Sequence, residues 1–409
     1  MQERRIKILH CIASFETGGT ELNLVRTLEN LDPARFELSV LVLKNQGPLL
    51  DRVKRLGIPI SEFRFPSLNS FEVFRQAARV LMFLRERRPD VVHCHDRYTN
   101  TFVIPLAKLA GMRFIIASRR WWTAMPRSVY RVGNQIAYRL AHCILANSEA
   151  TAQLMIQHEG LNPARIIVVS NFLEDSAFAP LEERRRREGL RLFEVPDGAL
   201  VICAVALFRP EKDLETLIQA VALLSERSVR PHLLLIGRGP CEEALRRAAI
   251  NKGVAEQVHF PGFLSSPPNP HAYGDISVLC SLHEGFPNSI IEAMAAGKPV
   301  VATNVGGISD AVDADVTGLL VPPASPETLA AALERLLADR ELSADMGKRG
   351  LGKAQTTFRA AVVINRLSEL YLSRATGSEP RNCEIHRAPA DPNEDVAEKT
   401  RLPTRADPI

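Results

Sequence analysis

The stretch from residue 283 to residue 307 limits the fold of this chain more than any other part of it. An apolar run at 276–279 indicates a short buried strand just before it, and the residues at 287–289 are signals for the start of a helix. Gly297 ends that helix, and residues 300–302 form a second strand. A buried strand, a helix and another buried strand in this order predict a parallel α/β sheet.

The loop and the helix start in this stretch favour an anionic ligand. The first turn of a helix leaves backbone N–H groups unpaired, and ligands of open α/β sheets bind beyond the carboxyl ends of the strands. Gly285 keeps the approach free of a side chain, while the carboxylates of Glu284 and Glu292 suit the hydroxyl groups of a sugar or a ribose. Two plainer interpretations stay open: Ser289 and Glu292 fit a capping box, and Glu284 fits a solvated loop.

The run E-G-F-P-N-S-x-x-E-A-M-A-x-G-x-P-V-V-x-x-x-x-G-G, which begins at Glu284, resembles the nucleotide-sugar site of family 4 of the retaining glycosyltransferases. The resemblance implies an α/β protein with the GT-B fold, in which two Rossmann-like lobes with parallel sheets face a central cleft. It implies that Glu284 contacts the transferred sugar as one of the catalytic residues and that Glu292 contacts the ribose. It also implies that the donor is held by Gly285, Phe286, Asn288, Ser289 and Ile290, the last three through backbone amides on the phosphates.

The chain opens with a strand, a glycine turn and a helix. Residues 7–13 form the strand, and Gly18 and Gly19 follow it ahead of a helical pattern. This is the opening unit of a nucleotide-binding type of sheet, although two glycines by themselves also fit an ordinary tight turn. In the family that the chain resembles, such a loop faces the cleft and contacts the donor phosphates or the acceptor.

A later strand, at 90–95, ends in two histidines. His93 and His95 point to the same face, which is a spacing that a metal site uses, but no third ligand except Asp96 stands nearby in the sequence. A structural role is therefore favoured for His93, and no metal is expected. The resemblance places His95 at the cleft, where it contacts the sugar or the departing phosphate and belongs to the catalytic group.

The architecture restarts after a charged segment at 181–191. A strand at 200–206 precedes a turn that contains Arg209 and Lys212, and a Lys ahead of a helix can act as a point charge on a diphosphate. The resemblance assigns Lys212 to the donor diphosphate and to catalysis. The family usually has an arginine where this chain has Leu207, so Arg209 is the candidate replacement.

The two similar halves predict the domain organisation. Residues 1–180 are expected to form the acceptor lobe and residues 181–357 the nucleotide-sugar lobe. A helix at 358–375 is expected to cross back to the first lobe, and the tail at 376–409 is expected to be disordered because it has few large apolar groups.

Composition excludes several classes of function. A net charge of +4 over 409 residues is too small to indicate a nucleic-acid partner, and the sequence begins with a strand pattern and not with a signal peptide. The seven cysteines form no C-x-x-C pair, which is typical of reduced thiols in the cytoplasm. Asp313 and Asp315 spell D-x-D but lie in a predicted turn, so no metal cofactor follows from them.

Both tryptophans of the chain, Trp121 and Trp122, lie within the basic segment Arg119–Arg127. Basic and aromatic residues together suit the inner face of a membrane or a lipid-linked pyrophosphate acceptor. A solvated loop with two packed aromatic side chains is the alternative, and the sequence favours it slightly.

The sequence therefore predicts a retaining glycosyltransferase that moves a sugar from a nucleotide diphosphate sugar to a glycan or a lipid-linked acceptor. A catalytically weak sugar-nucleotide-binding partner is one alternative, since Leu207 and Phe172 depart from the family pattern. A nucleotide-sugar epimerase shares the architecture but lacks the run at 284–289. The last alternative is a structural, membrane-associated scaffold, and only the basic aromatic segment supports it.

Overall fold

Two parallel β-sheets, one in each half of the chain, organise the computed structural model. It describes residues 4–64, 71–121, 129–264 and 266–376. All the paired strands within both sheets run parallel, so the predicted α/β class with two facing lobes is confirmed.

The first sheet has seven strands in the order β3-β2-β1-β4-β5-β6-β7. Its strands are rich in β-branched and aliphatic residues and are largely buried, as strands covered by helices on both faces must be. They are β1 (Ile6–Ile12), β2 (Phe36–Val42), β3 (Ile60–Glu62), β4 (Val91–Cys94), β5 (Phe114–Arg119), β6 (Cys143–Ala146) and β7 (Ile166–Val168).

The second sheet has six strands in the order β10-β9-β8-β11-β12-β13. They are β8 (Val201–Val205), β9 (His232–Ile236), β10 (Val258–Gly262), β11 (Ile276–Leu279), β12 (Val300–Thr303) and β13 (Gly318–Val321). In both sheets the strand order reverses in the middle, between β1 and β4 and between β8 and β11. Such a switch point opens a crevice at the carboxyl ends of the strands, where ligands bind.

Helices cover the faces of both sheets. Those of the first half are α1 (Gly19–Asn30), α2 (Leu50–Lys54), α3 (Glu72–Arg87), α4 (Arg97–Leu109), α5 (Val129–Leu140) and α6 (Glu149–Glu159). Those of the second half are α7 (Glu183–Leu192), α8 (Leu214–Glu226), α9 (Glu242–Asn251), α10 (Asn288–Ala295), α11 (Ile308–Ala311), α12 (Pro326–Ala338), α13 (Arg340–Thr357) and α14 (Ala360–Thr376).

Helix α14 follows the second lobe in the chain but packs on the first. Its Ile364, Leu367 and Tyr371 share one buried apolar cluster with Ile8 of β1 and Phe36 of β2. The chain therefore passes between the lobes twice, once after β7 and once before α14. These two connections hold the sheets so that both switch points face one cleft. Nearly all of the predicted tail lies outside the described residues.

Within the ranges that the structure describes, no helix is long and apolar enough to cross a membrane.

Candidate active site

A cleft of about 690 Å³ lies between the two lobes. Its walls come from the loops after β1, β5, β6 and β7 in the first lobe and after β8, β9 and β11 in the second. Most of the predicted site residues line it, namely Gly18, Gly19, Arg209, Lys212, Glu284, Gly285, Phe286, Asn288, Ser289 and Glu292. Leu207 lines it too, whereas the side chain of Ile290 is buried in the core behind it. Their roles stay predictions, but tertiary structure brings them to one place.

Two helices begin at this cleft. The first turn of α10 has no side-chain cap, whereas in the first turn of α1 the Glu21 carboxylate accepts a hydrogen bond from its own backbone amide. Helix α10 starts at Asn288 after Pro287, and no side chain caps it. Helix α1 starts at Gly19 in the opposite wall, and a Cβ placed on Gly19 would lie 3.9 Å from Asn288 Nδ2. An uncapped helix N-terminus such as that of α10 attracts phosphate groups through its amides and its partial positive charge.

Gly285 lets the two lobes approach each other beside the start of α10. A Cβ on Gly285 would lie 2.7 Å from the carbonyl oxygen of Arg120 in the first lobe, which is closer than a side chain can come. Asn171 adds a hydrogen bond across the same boundary, since its Nδ2 donates to the carbonyl of Phe286 at 3.0 Å. The glycine is therefore needed for contact between the lobes as well as for access to a ligand.

Lys212 and Glu284 form an ion pair at the wall of the cleft. Lys212 lies at the end of a short 3₁₀ turn, Pro210–Lys212, ahead of α8, and Glu284 Oε1 also accepts a hydrogen bond from Ser281 Oγ at 2.8 Å. Both side chains are largely buried, with exposed fractions of 21% and 11%. The pair holds each group in place at the cleft wall, and a diphosphate would compete with Glu284 for the ammonium group.

Glu292 points toward the first lobe and not back to its own helix start. Its Oε1 lies 3.5 Å from Arg26 Nη2 of α1, and Ser289 Oγ lies 3.2 Å from His271 Nε2. The capping-box interpretation of Ser289 and Glu292 is therefore wrong, because no side-chain cap closes α10. Glu292 remains available to a ribose at the cleft.

Leu207 and Arg209 lie on the same wall as Lys212. The Arg209 side chain is half exposed at 55%, and its Nη1 lies 3.9 Å from Glu211 Oε1. Leu207 offers only an aliphatic surface where the resemblance leads one to expect an arginine.

His95 is not among the residues that line the cleft. It is fully buried next to β1 and β4, and its Nε2 lies 2.9 Å from His10 Nδ1. His93 lies opposite His10 in the sheet register and uses both ring nitrogens, one on Tyr371 at 2.8 Å and one on Ser118 at 2.7 Å. The structure thus gives His95 an internal environment, and its predicted contact with the donor stays a prediction.

In the sequence, Asp96 is the one further ligand close to His93 and His95, but the sheet brings a third histidine to them. His10 joins them, and one nitrogen from each ring lies within 4.8 Å of the others. Burial lowers the pKa of His10 to about 3 and lowers those of His93 and His95 as well, so all three rings are neutral. Hydrogen bonds already use both nitrogens of His93, and a metal ion would have to displace them.

Sequence reasoning missed three polar residues of the first lobe that line the cleft: Arg120, Asn147 and Asn171. Arg120 Nη1 donates to Asn171 Oδ1 at 2.8 Å, and Asn147 Nδ2 donates to the carbonyl of Arg120 at 3.3 Å. Each follows a different strand of the first sheet. That position at the carboxyl end of a parallel strand is the signal that would have found them.

The basic segment Arg119–Arg127 begins inside the lobe. Arg119 is fully buried against Glu159, Arg120 lines the cleft, and Trp121 Nε1 is buried. Residues 122–127 lie outside the described residues, so membrane contact through this segment stays a prediction. Phe172 is also buried, packed in the cluster that holds α14, and it does not enter the cleft.

Comparison with known proteins identifies the family. The family models "Glycosyl transferases group 1" and "Glycosyl transferase 4-like domain" match residues 190–352 and 18–171. The D-inositol 3-phosphate glycosyltransferase of Corynebacterium glutamicum is 31% identical over 91% of this chain and 95% of its own. The chain belongs to the group 1 glycosyltransferases. It is accordingly a glycosyltransferase of the retaining type, as the run at 284–307 predicts.

Other known proteins resemble this chain less in sequence or resemble it in fold. The alpha-D-kanosaminyltransferase of Streptomyces kanamyceticus is 26% identical over 65% of this chain and 72% of its own. The crystal structure of Anabaena HepE in complex with UDP is similar over 90% of this chain and 100% of that one, with 22% identity and a TM-score of 0.80. Sucrose-phosphate synthase from Thermosynechococcus elongatus reaches a TM-score of 0.72 at 19% identity over 91% and 100% of the two chains.

Proposed function

We propose that this glycosyltransferase takes a sugar from UDP-sugar and transfers it, with retention, to an acceptor hydroxyl in the cleft between the lobes. The observation that carries the proposal is the meeting of Lys212, Glu284, Glu292 and the N-terminus of α10 on one wall of that cleft. Solved structures of HepE with UDP and with UDP-glucose support uracil as the base and glucose as the first sugar to test.

Each group has a task that its chemistry supports. The amides at the start of α10 and the ammonium of Lys212 hold the diphosphate, Glu292 accepts hydrogen bonds from the ribose, and Glu284 accepts them from the transferred sugar. During transfer the bond from the anomeric carbon to the phosphate oxygen breaks with its electron pair on that oxygen. The acceptor oxygen bonds to the carbon, and its proton passes to the released diphosphate.

The positive groups act mainly on the leaving group. The reacting sugar resembles an oxocarbenium ion, so the cost of the step is the separation of that cation from the diphosphate. Fixed donors and cations that face the developing negative charge lower this cost without rearranging. Closing the lobes would exclude water, which otherwise competes with the acceptor.

The acceptor is a separate question. The prediction of a glycan or lipid-linked acceptor stands, and the relatives named D-inositol 3-phosphate glycosyltransferase make that compound the first small acceptor to compare with it.

The test is a thermal-shift titration with UDP, GDP and ADP, followed by turnover with the matching glucose donor. A shift with UDP and formation of an α-linked product would support the proposal. Binding of UDP without any turnover would favour the sugar-nucleotide-binding partner. No shift with any nucleotide would contradict the donor site.

A further inference from the structure

Among the described residues that line the cleft, one cation has no carboxylate partner. Three basic side chains line it among the described residues, Arg120, Arg209 and Lys212. Lys212 pairs with Glu284, and Arg209 lies near Glu211. Arg120 has no acidic group within 4.0 Å in the described ranges, and its one side-chain hydrogen bond is to the neutral amide of Asn171.

Arg120 is partly buried as a whole, and its guanidinium is enclosed on one side. Its Nε has almost no exposed surface and no hydrogen-bond partner among the described residues. Burial lowers the pKa of Arg120 to about 10, which leaves the guanidinium charged at neutral pH. A partly buried cation that lines a ligand cleft and has no acidic partner is costly to keep charged unless an anion completes it.

The place of Arg120 indicates which anion that is. Its backbone touches Gly285, and Asn171 links its guanidinium to the carbonyl of Phe286, two residues before α10. The guanidinium therefore stands beside the helix N-terminus that suits phosphate. The opposite wall offers Leu207, which has no charge to give.

The other charged residues of the cleft also favour an anion at Arg120. Among the described residues, five carboxylates line it against the three cations: Glu16, Glu21, Glu211, Glu284 and Glu292. A cleft of this composition repels a diphosphate unless some positive charge is free to meet it. Arg120 is the residue that can do so without first breaking an ion pair.

We propose that Arg120, from the first lobe, binds the donor diphosphate and supplies the positive charge that Leu207 does not supply from the second. The inference rests on the proposed function, because it takes the diphosphate of UDP-sugar as the anion. The planar guanidinium can hold two phosphate oxygens at once, and it can stabilise the oxygen that receives the electron pair when the sugar leaves. Donor binding and lobe closure are then linked, since the two walls share one ligand.

The experiment measures the affinity of UDP and of uridine, without acceptor, for the full chain and its variants. For Arg120→Gln we expect UDP to bind about 10- to 100-fold more weakly, the loss that follows from a charge-assisted bond, while uridine binding changes less than about twofold. Arg120→Lys is expected to lose less UDP affinity than Arg120→Gln. Lysine keeps the positive charge but lacks the planar guanidinium that can hold two phosphate oxygens.

A rescue variant makes the test specific. Leu207→Arg places an arginine on the opposite wall of the same cleft, and in the Arg120→Gln background it is expected to restore at least about half of the lost UDP affinity on a logarithmic scale. Arg119→Gln is the matched control, since its buried neighbouring guanidinium already pairs with Glu159. That control is expected to leave the ratio of UDP affinity to uridine affinity unchanged.

Three results would overturn the inference. One is unchanged UDP affinity in a folded Arg120→Gln variant, and another is an equal loss for UDP and uridine, which indicates a structural effect. The third comes from a separate turnover assay with acceptor present: a rise only in the KM of an anionic acceptor would place the anion on the acceptor. If Arg120→Gln does not fold, Arg120→Lys and Leu207→Arg in the wild-type background give the same comparison. Failure of wild type to bind UDP would instead contradict the proposed function.

Discussion

The two lobes build their walls of the cleft in different ways. The second lobe presents Glu284 to Glu292 from one continuous loop and helix after β11, and adds Lys212 after β8. The first lobe presents Gly19, Arg120, Asn147 and Asn171 from four separate loops. A site made from neighbours in sequence is visible as a motif, whereas a site made from strand ends becomes visible only when the sheet is assembled.

The lobes also differ in how they treat charge. In the second lobe the cationic Lys212 is neutralised by Glu284 before any ligand arrives. In the first lobe Arg120 is held by an amide and keeps its full charge. A donor diphosphate would thus displace Glu284 from Lys212 on one wall of the cleft. On the other wall it would bind Arg120 without displacing a carboxylate. The predictions below test this difference, from the largest effect to the smallest.

The largest effect is expected from Lys212→Ala. Loss of a fixed cation that faces the leaving diphosphate should lower kcat by a factor on the order of 10² to 10³. Lys353→Ala is the matched control, because Lys353 pairs with Asp313 in the same lobe but does not line the cleft. The measurement is the steady-state kcat of both variants. If kcat of Lys212→Ala falls by less than about fivefold, Lys212 is not a catalytic residue.

The buried histidines should make stability depend on pH in both lobes. Burial lowers the pKa of His10 in the first lobe and of His271 in the second to about 3. An unfolded histidine binds a proton below about pH 6.5 while these folded ones do not, so stability is lost as the pH falls from about 6.5 toward 3. At pH 5 each costs about 2 kcal/mol of unfolding free energy relative to pH 7.

Urea unfolding at pH 7 and pH 5 measures this dependence. In His10→Asn and in His271→Asn, the free energy of unfolding should differ less between pH 7 and pH 5 than it does in wild type. His158→Asn, which alters an exposed histidine, should not. An equal pH dependence in all three variants would contradict the internal placement of the two rings.

A smaller effect is expected from Glu292→Gln. Loss of charged hydrogen bonds to the ribose should weaken UDP binding about tenfold, while binding of a 2′,3′-dideoxy analogue of UDP should hardly change. Glu174→Gln is a suitable control, since Glu174 also lies near Arg26, at 3.9 Å, but does not line the cleft. Calorimetry with the two nucleotides distinguishes a ribose contact from a role in joining the lobes, which would weaken both equally.

The smallest effect is expected from Asp315→Asn. Asp315 lies in a turn, with a φ of 59°, and pairs with Arg335 at 3.0 Å through side chains that are 70% and 53% exposed. Exposed pairs of this kind contribute about 0–1 kcal/mol, so stability and rate should stay near those of wild type. Dependence of the rate on a divalent cation that disappears in this variant would overturn the interpretation of D-x-D as a turn.

The sequence alone predicted much of the second lobe because its determinants are local. The helix after Pro287, the strand at Ile276–Leu279 and the lysine ahead of α8 all lie where the pattern places them. Helix α13 was not predicted from the sequence. Glycines and charged residues blur its apolar period, and Gly347 is suited to it because a Cβ there would lie 2.3 Å from the carbonyl oxygen of Gly297.

Local pattern determined the parallel α/β class, the start of α10 and the family of this protein, because strand length, helix signals and the run at 284–307 are properties of neighbouring residues. Only tertiary structure decided that His95 turns into the lobe beside His10, that Glu292 faces Arg26, and that Arg120 stands unpaired beside Gly285. These outcomes depend on the order of strands in a sheet and on the approach of two lobes. Neither is encoded in the spacing of residues along the chain.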